Sequence, residues 1–250
     1  MKIKMNKVAL SKMKKHFLDE YPNEACGIIT TAGVYKPMHN TSSSPLDNFA
    51  FDARELCLIN ASAIVHSHPD YSEAPSALDI RGQIDTALPW GIISIRGESL
   101  TPLYFWGDSL DICPLVGREF RHGPSGTDNK GDCYALIRDY YRQEKKITLN
   151  EYPRDDVWWK DGKNLYTDFF ADAGCISISQ SEAKEGDIFF MAINSDVINH
   201  AGVYLGSGSG LILHHLAGRL SRREPLGRWV KLIKGWVRYN AKDLSEGQTC

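Results

Sequence analysis

Apolar side chains at Val8, Leu10, Met13, Phe17 and Leu18 return at near-helical spacing, so the chain is expected to open on a helix over 6–20. Pro22 ends it, since its ring removes a backbone donor and obstructs the preceding turn. Residues 25–31 form a short apolar run, and 51–61 return to helical spacing behind Asp52, a suitable N-cap. Ala63-Ile64-Val65 reads as a buried strand that runs directly into His66. A helix over 76–88 and strands over 92–95 and 103–106 complete a first half in which helix and strand alternate.

Residues 107–131 carry Pro114, Gly117, Gly123-Pro124, Ser125-Gly126 and Asn129, the densest turn chemistry in the chain, and predict a boundary near 107–116. Beyond it a helix from Asp132 to Lys145 precedes apolar strands over 187–193, 200–205, 211–216 and 236–239, which fit an antiparallel sheet. No internal repeat relates the halves. The expected fold class is an α/β domain over 1–106 followed by an α+β domain over 113–250.

Composition fits this division. A chain of 250 residues is long for one core and comfortable for two. With 42% hydrophobic and 24% charged residues it falls among globular sequences. A net charge of −2 leaves no basic field for nucleic acid or an anionic membrane. No apolar run approaches the ~18 residues of a membrane span, and the first residues lack the apolar core of a signal peptide, so a soluble protein made in the cytoplasm is expected. Cys26, Cys57, Cys113, Cys133, Cys175 and Cys250 show no CxxC pairing and suit free thiols. Because six is an even number, a secreted three-disulfide protein stays open on sequence alone.

His66-Ser67-His68-Pro69 places two imidazoles at the end of a strand, and alternation turns both to one face. Asp79, on the helix that follows, offers a carboxylate. Two histidines and one carboxylate suit Zn²⁺ and leave a fourth position open, the pattern of catalytic zinc. Each part has a plainer reading: histidines near a turn are commonly solvated, and Ser76-x-x-Asp79 is an acceptable capping box. Cys26, close to Glu24, reads as core rather than ligand. Taken together, Glu24 in Asn23-Glu24-Ala25-Cys26-Gly27 and His-x-His-Pro, six residues, Ser-x-x-Asp resemble the JAMM (MPN-plus) metalloprotease family over 1–106. The resemblance implies His66, His68 and Asp79 as zinc ligands, Glu24 as general base, and Ser76 as a donor to the tetrahedral intermediate.

Gly131-Asp132-Cys133-Tyr134 puts a thiol at a helix start, where the positive end of the helix favours thiolate. If the hairpin after His200 centres near Gly208, His200 and His214 share a face while His215 points away, so one imidazole can act as base and the other orient it. A buried structural cysteine with two edge-strand histidines fits the same residue types. Asp-Cys at a helix start, Gly186-Asp187-Ile188-Phe189-Phe190 and His200-Ala-Gly-Val-Tyr-Leu-Gly206 resemble the NlpC-type papain-like cysteine peptidases over 113–240. That resemblance implies Cys133 as nucleophile, His200 as base, His214 as the third member, the Cys133 N–H at the oxyanion, and peptidoglycan stem peptides as substrate. Many members carry a tyrosine about a dozen residues before the cysteine. Phe120 stands there in this chain, with Arg121 or His122 as candidate substitutes.

The fusion, with Arg118-Glu-Phe-Arg-His-Gly123 and Leu213-His-His-Leu-Ala-Gly-Arg-Leu-Ser221, resembles the tail assembly protein K family of phage lambda and other long, flexible-tailed phages over nearly the whole chain. It implies a tail-tip protein made in the host cytoplasm, with the virion tail tip as a further location. Its partners would be other tail-tip proteins and peptidoglycan, with neither nucleic acid nor a membrane span. The competing class is a structural assembly factor in which one or both folds serve as docking surfaces. A bacterial wall-remodelling enzyme would call for an export signal.

Overall fold

The first helix, α1 (Lys7–Glu20), is capped by Asn6, whose side chain accepts from the Ala9 N–H at 2.8 Å. Its buried stripe is Ala9, Met13 and Phe17, while Val8, counted in the expected apolar face, is 77% exposed. Residues four apart drift by only ~40° around a helix, whereas Val8 sits ~100° from Ala9 and cannot join that stripe. The computed structural model containing it describes residues 2–52 and 54–240. Ala53, 241–250 with Cys250, and the side chain of Cys57 lie outside the described residues. Packing divides the chain into two compact units, 1–111 with 126–128 and 112–125 with 129–250. Among the described residues, no helix is long and apolar enough to cross a membrane.

The first unit continues through β1 (Cys26–Thr30), β2 (Tyr35–Met38), α2 (Arg54–Ile59), β3 (Ala61–Pro69), α3 (Ala77–Thr86), β4 (Trp90–Arg96), β5 (Ser99–Leu100) and β6 (Tyr104–Trp106). The sheet runs β2-β1-β3-β4-β5, with β6 also on β4. β3 and β4 pair in parallel, in a register that sets His66 beside Ile92 and His68 beside Ser94, and α3 makes the crossover between them. Both faces are covered. Met13 and Phe17 pack with Ile29, Val65 and Ile93 on one side; Ile64, Trp90, Ile92 and Trp106 pack on the other. Burial on both faces explains why β3 reads as a continuous apolar run rather than an alternating one. Cys26 is buried with Ile28 and Met38, a core position.

In the second unit β7 (Glu119–Phe120) and β8 (Lys130–Gly131) form a small parallel pair. Then come α4 (Cys133–Tyr140), continued by a π turn to Lys145, α5 (Leu165–Phe169), β9 (Cys175–Ile178), β10 (Ile188–Met191), β11 (His200–Tyr204), β12 (Leu211–His214), β13 (Arg222–Pro225) and β14 (Ile233–Tyr239). Six strands form one antiparallel sheet ordered β13-β12-β11-β10-β14-β9. Leu136, Ile137 and Tyr140 of α4 pack with Phe190, Ala201 and Val203. The outer strands β9 and β13 escape the sequence pattern because edge strands pair through backbone and need no apolar alternation. Cys26, Cys133 and Cys175 are thiols outside any disulfide.

Candidate functional sites

In the first unit, strand alternation and the first turn of α3 bring His66, His68 and Asp79 together, all buried. The Nε2 atoms of His66 and His68 lie 3.0 Å apart, and each is 3.2 Å from an Asp79 carboxylate oxygen. Ligand atoms arranged tetrahedrally around zinc at ~2.0–2.1 Å would stand ~3.3 Å apart, close to the separations His66 Nε2–Asp79 Oδ1 and His68 Nε2–Asp79 Oδ2. His68 Nδ1 is 2.9 Å from Ser72 O and donates to it, which leaves the Nε2 lone pair facing the cluster, the tautomer a metal ligand needs. His66 is held in an aromatic pocket, with ring centroids 4.8 Å from Phe49 and 5.7 Å from Trp90. Two imidazoles and one carboxylate, with no fourth protein ligand in the cluster among the described residues, fit a zinc site with an open position.

The charges are coupled. Burial pushes the His66 imidazole down. Burial also opposes charge on His68, but Asp79 and then Glu24 outweigh it and its pKa rises. Burial likewise opposes charge on Asp79, yet His66 and His68 hold its carboxyl well below the ordinary range. Glu24 sits 3.9 Å from His68 Nε2 and is pushed up to about 8 by burial, with His68 opposing. Its backbone is pinned by Pro45 O, which accepts its N–H at 2.7 Å, and by Asn40, whose Nδ2 donates to Glu24 O at 2.8 Å. The neighbouring Ala25 N–H donates to Ser67 Oγ at 2.9 Å, so the serine between the two histidines fixes the segment bearing Glu24.

Ser76 and Asp79 also form the capping box. Asp79 N–H donates to Ser76 Oγ at 3.1 Å, and Ser76 N–H donates to Asp79 Oδ2 at 2.8 Å. The Ser76 hydroxyl donates to the same oxygen at 2.8 Å, so it holds the Asp79 carboxylate in place. The plainer reading and the metal reading of this motif are therefore compatible: the cap is what aims the carboxylate.

In the second unit, Asp132 caps α4 by accepting from Ala135 N–H at 2.8 Å and is itself held by Arg154 at 2.7 Å. Cys133 begins the helix. Its Sγ lies 3.0 Å from Tyr166 Oη on α5, a residue the sequence pattern does not single out. Phe120 lies edge-on to His215 at 5.3 Å. His122 Nε2 is 3.1 Å from Arg154 O, and Arg121 donates to Pro124 O at 3.2 Å. The hydroxyl beside the thiol thus comes from Tyr166 rather than from 120, 121 or 122.

Gly202 opposes His214 across β11 and β12, where an added Cβ would lie 2.8 Å from His214 Cβ and 2.7 Å from Leu213 O. Only glycine lets the strands close there. His200 Nε2 and His214 Nδ1 are then 3.1 Å apart, and His214 Nε2 is 2.6 Å from Glu224 Oε1 on β13. Cys133, His200, Phe120 and Tyr166 line one cavity of about 520 Å³, walled by Trp158, Trp159 and Phe190.

Burial, joined by the Asp132 charge, pushes the Cys133 thiol up to about 11 against the pull of Tyr166 and Ala201. Burial, then His214 and His215, holds His200 well below its ordinary value. Burial thus works against the thiolate that the helix terminus alone would favour.

Residues 6–106 match the family model for prokaryotic homologs of the JAB domain, and residues 117–233 match that of the NlpC/P60 family. The chain is 33% identical to the tail tip assembly protein K of Escherichia phage N15, over 98% of this chain and 99% of that protein. It is 35% identical to the tail tip assembly protein K of Escherichia phage lambda, over 72% of this chain and 82% of that protein. Among solved structures it is similar to an NLP/P60-family protein of Staphylococcus aureus, with 18% identity, a TM-score of 0.35, and coverage of 50% of this chain and 37% of that one. The chain belongs to the tail tip assembly protein K family, with a JAB-type first domain and an NlpC/P60-type second domain.

Proposed function

We propose that this protein is a phage tail-tip assembly protein with two independent peptidase sites, divided between 1–106 and 113–250. The observation that carries the reading is the shared cavity of the second unit, where a thiol at a helix start and the His200 imidazole, backed by His214, face the same space. Cys133 Sγ attacks the carbonyl carbon of a peptide bond while His200 takes the thiol proton. The Cys133 N–H faces the developing oxyanion. His200 then passes the proton to the leaving amine, and water hydrolyses the thioester. The Tyr166 hydroxyl lies within hydrogen-bond reach of the sulfur. The substrate is a peptidoglycan stem peptide, cut during wall penetration, tail assembly or both. The protein is made in the infected host's cytoplasm and acts at the tail tip alongside other tail proteins.

In the first unit His66, His68 and Asp79 would hold zinc, which supplies a Lewis acid that brings bound water within reach of deprotonation near neutral pH. Glu24 receives a proton at its carboxylate and returns it to the leaving amine. Ser76, through Asp79, keeps the ligand set aligned.

Digestion of diaminopimelate-type peptidoglycan followed by mass analysis of the released peptides tests the thiol site. Release should vanish in Cys133→Ala and after alkylation, and should survive EDTA. Folded, reduced protein that releases nothing would overturn the hydrolase reading and leave the docking role.

A further inference from the structure

The outermost strand of the sheet carries a carboxylate in an unusual setting. Glu224 belongs to β13, an edge strand whose neighbours Arg223 and Pro225 are exposed, yet Glu224 itself is 6% exposed. Carboxylates at sheet edges are ordinarily solvated. Here one oxygen lies 2.6 Å from His214 Nε2, and the other accepts from Arg228 at 3.0 Å.

The hydrogen-bond chemistry has one consistent direction. An ionised carboxylate can only accept, so His214 carries its proton on Nε2. A neutral imidazole has a single N–H, so His214 Nδ1 is a lone pair, and at 3.1 Å it accepts from His200 Nε2–H. His200 in turn has its proton on Nε2, and its Nδ1 is left as the basic nitrogen. A negative charge three groups from the sulfur therefore selects which nitrogen of His200 receives the thiol proton.

We propose that Glu224 is a positioning residue for the Cys133 chemistry: acting through His214, it fixes the tautomer of His200 and supports the positive charge that the imidazole pair acquires on deprotonating the thiol. This rests on the reading of Cys133 and His200 as nucleophile and base. The setting gives the carboxylate its importance. His214 faces Arg219 and Arg222 as well as Glu224, and Glu224 faces Arg222 and Arg228. His200 faces His214, His215 and Asp132. Without Glu224, the charges around His214 are cationic, and protonation of the pair is opposed. A purely structural role is the competing account, but β13 already pairs with β12 through backbone over 222–225, and the near-isosteric glutamine leaves that pairing in place.

The test combines imidazole ¹⁵N NMR on the full chain with kinetics. The nitrogen shifts distinguish the Nδ1–H from the Nε2–H tautomer, with His200 and His214 assigned from single variants. Wild type should show both rings as Nε2–H. Glu224→Gln should disturb that pattern and lower the pH at which the pair protonates. The same variant should lower peptidoglycan kcat/KM roughly tenfold, mainly in kcat, as expected when a charge-assisted hydrogen bond is lost. Glu224→Asp, which keeps the charge, should recover part of the loss. If wild-type His200 is Nδ1–H, or if Glu224→Gln leaves tautomer, protonation and kcat unchanged, the proposal is overturned. The wild-type measurement stands even where the glutamine variant does not fold. Absence of peptidase activity in wild type would count against the Cys133 reading, while the NMR pattern would still decide whether Glu224 sets the tautomer.

Discussion

The ionisation state of Cys133 offers the sharpest check on the chemistry. A thiol moved from 9.0 to about 11 carries ~3 kcal/mol against the thiolate. At pH 7 such a thiol is only ~0.01% ionised, and its reactivity follows that fraction. Alkylation by iodoacetamide, read by mass spectrometry on the peptide containing Cys133 so that the other thiols do not interfere, should rise about tenfold per pH unit from 7 to 10. No plateau should occur at neutral pH, because the folded thiol loses its proton only as pH approaches the raised value. The Tyr166 hydroxyl lies 3.0 Å from the sulfur and can donate to the thiolate once it forms. A hydrogen bond to a charged group is worth ~1.5–3 kcal/mol, so Tyr166→Phe should slow alkylation at fixed pH by at least roughly tenfold. A rate that stays flat between pH 6 and 9 would mean a preformed thiolate–imidazolium pair. Faster alkylation in Tyr166→Phe would mean that the hydroxyl does not favour the thiolate. Either result would refute the reasoning.

Protein purified with zinc and dialysed should retain one ion per chain; His66→Ala with His68→Ala should lose it, while Glu24→Gln keeps it, and elemental analysis reads both. Arg118, 1% exposed, pairs with Asp139 at 2.7 Å and donates to Cys113 O, Pro114 O and Ser125 Oγ. Removing one partner of a buried pair costs ~3–5 kcal/mol, so Arg118→Ala should lower the denaturant midpoint of the second unit, and an unchanged midpoint would contradict that role. Leu110 is buried in the first unit's core, so a fragment of residues 1–111 should be more stable than 1–106 by ~1.5–3 kcal/mol in thermal melts.

Much of this protein is legible in short stretches of sequence, because short stretches set short-range geometry. Strand alternation alone puts His66 and His68 on one face, and Ser76-x-x-Asp79 alone places a carboxylate in the first turn of α3. Asp132 before Cys133 marks a helix start, and a hairpin about Gly208 is enough to bring His200 beside His214. Tertiary structure decided what these groups experience. Tyr166 reaches the thiol from a helix 33 positions downstream, in a segment with no clear periodicity, and Glu224 reaches His214 from an edge strand written in charges. What bears on the thiol's ionisation was also out of reach of the sequence: a helix start argues for thiolate, while burial and the Asp132 charge oppose it, and burial is a property of everything packed around the sulfur.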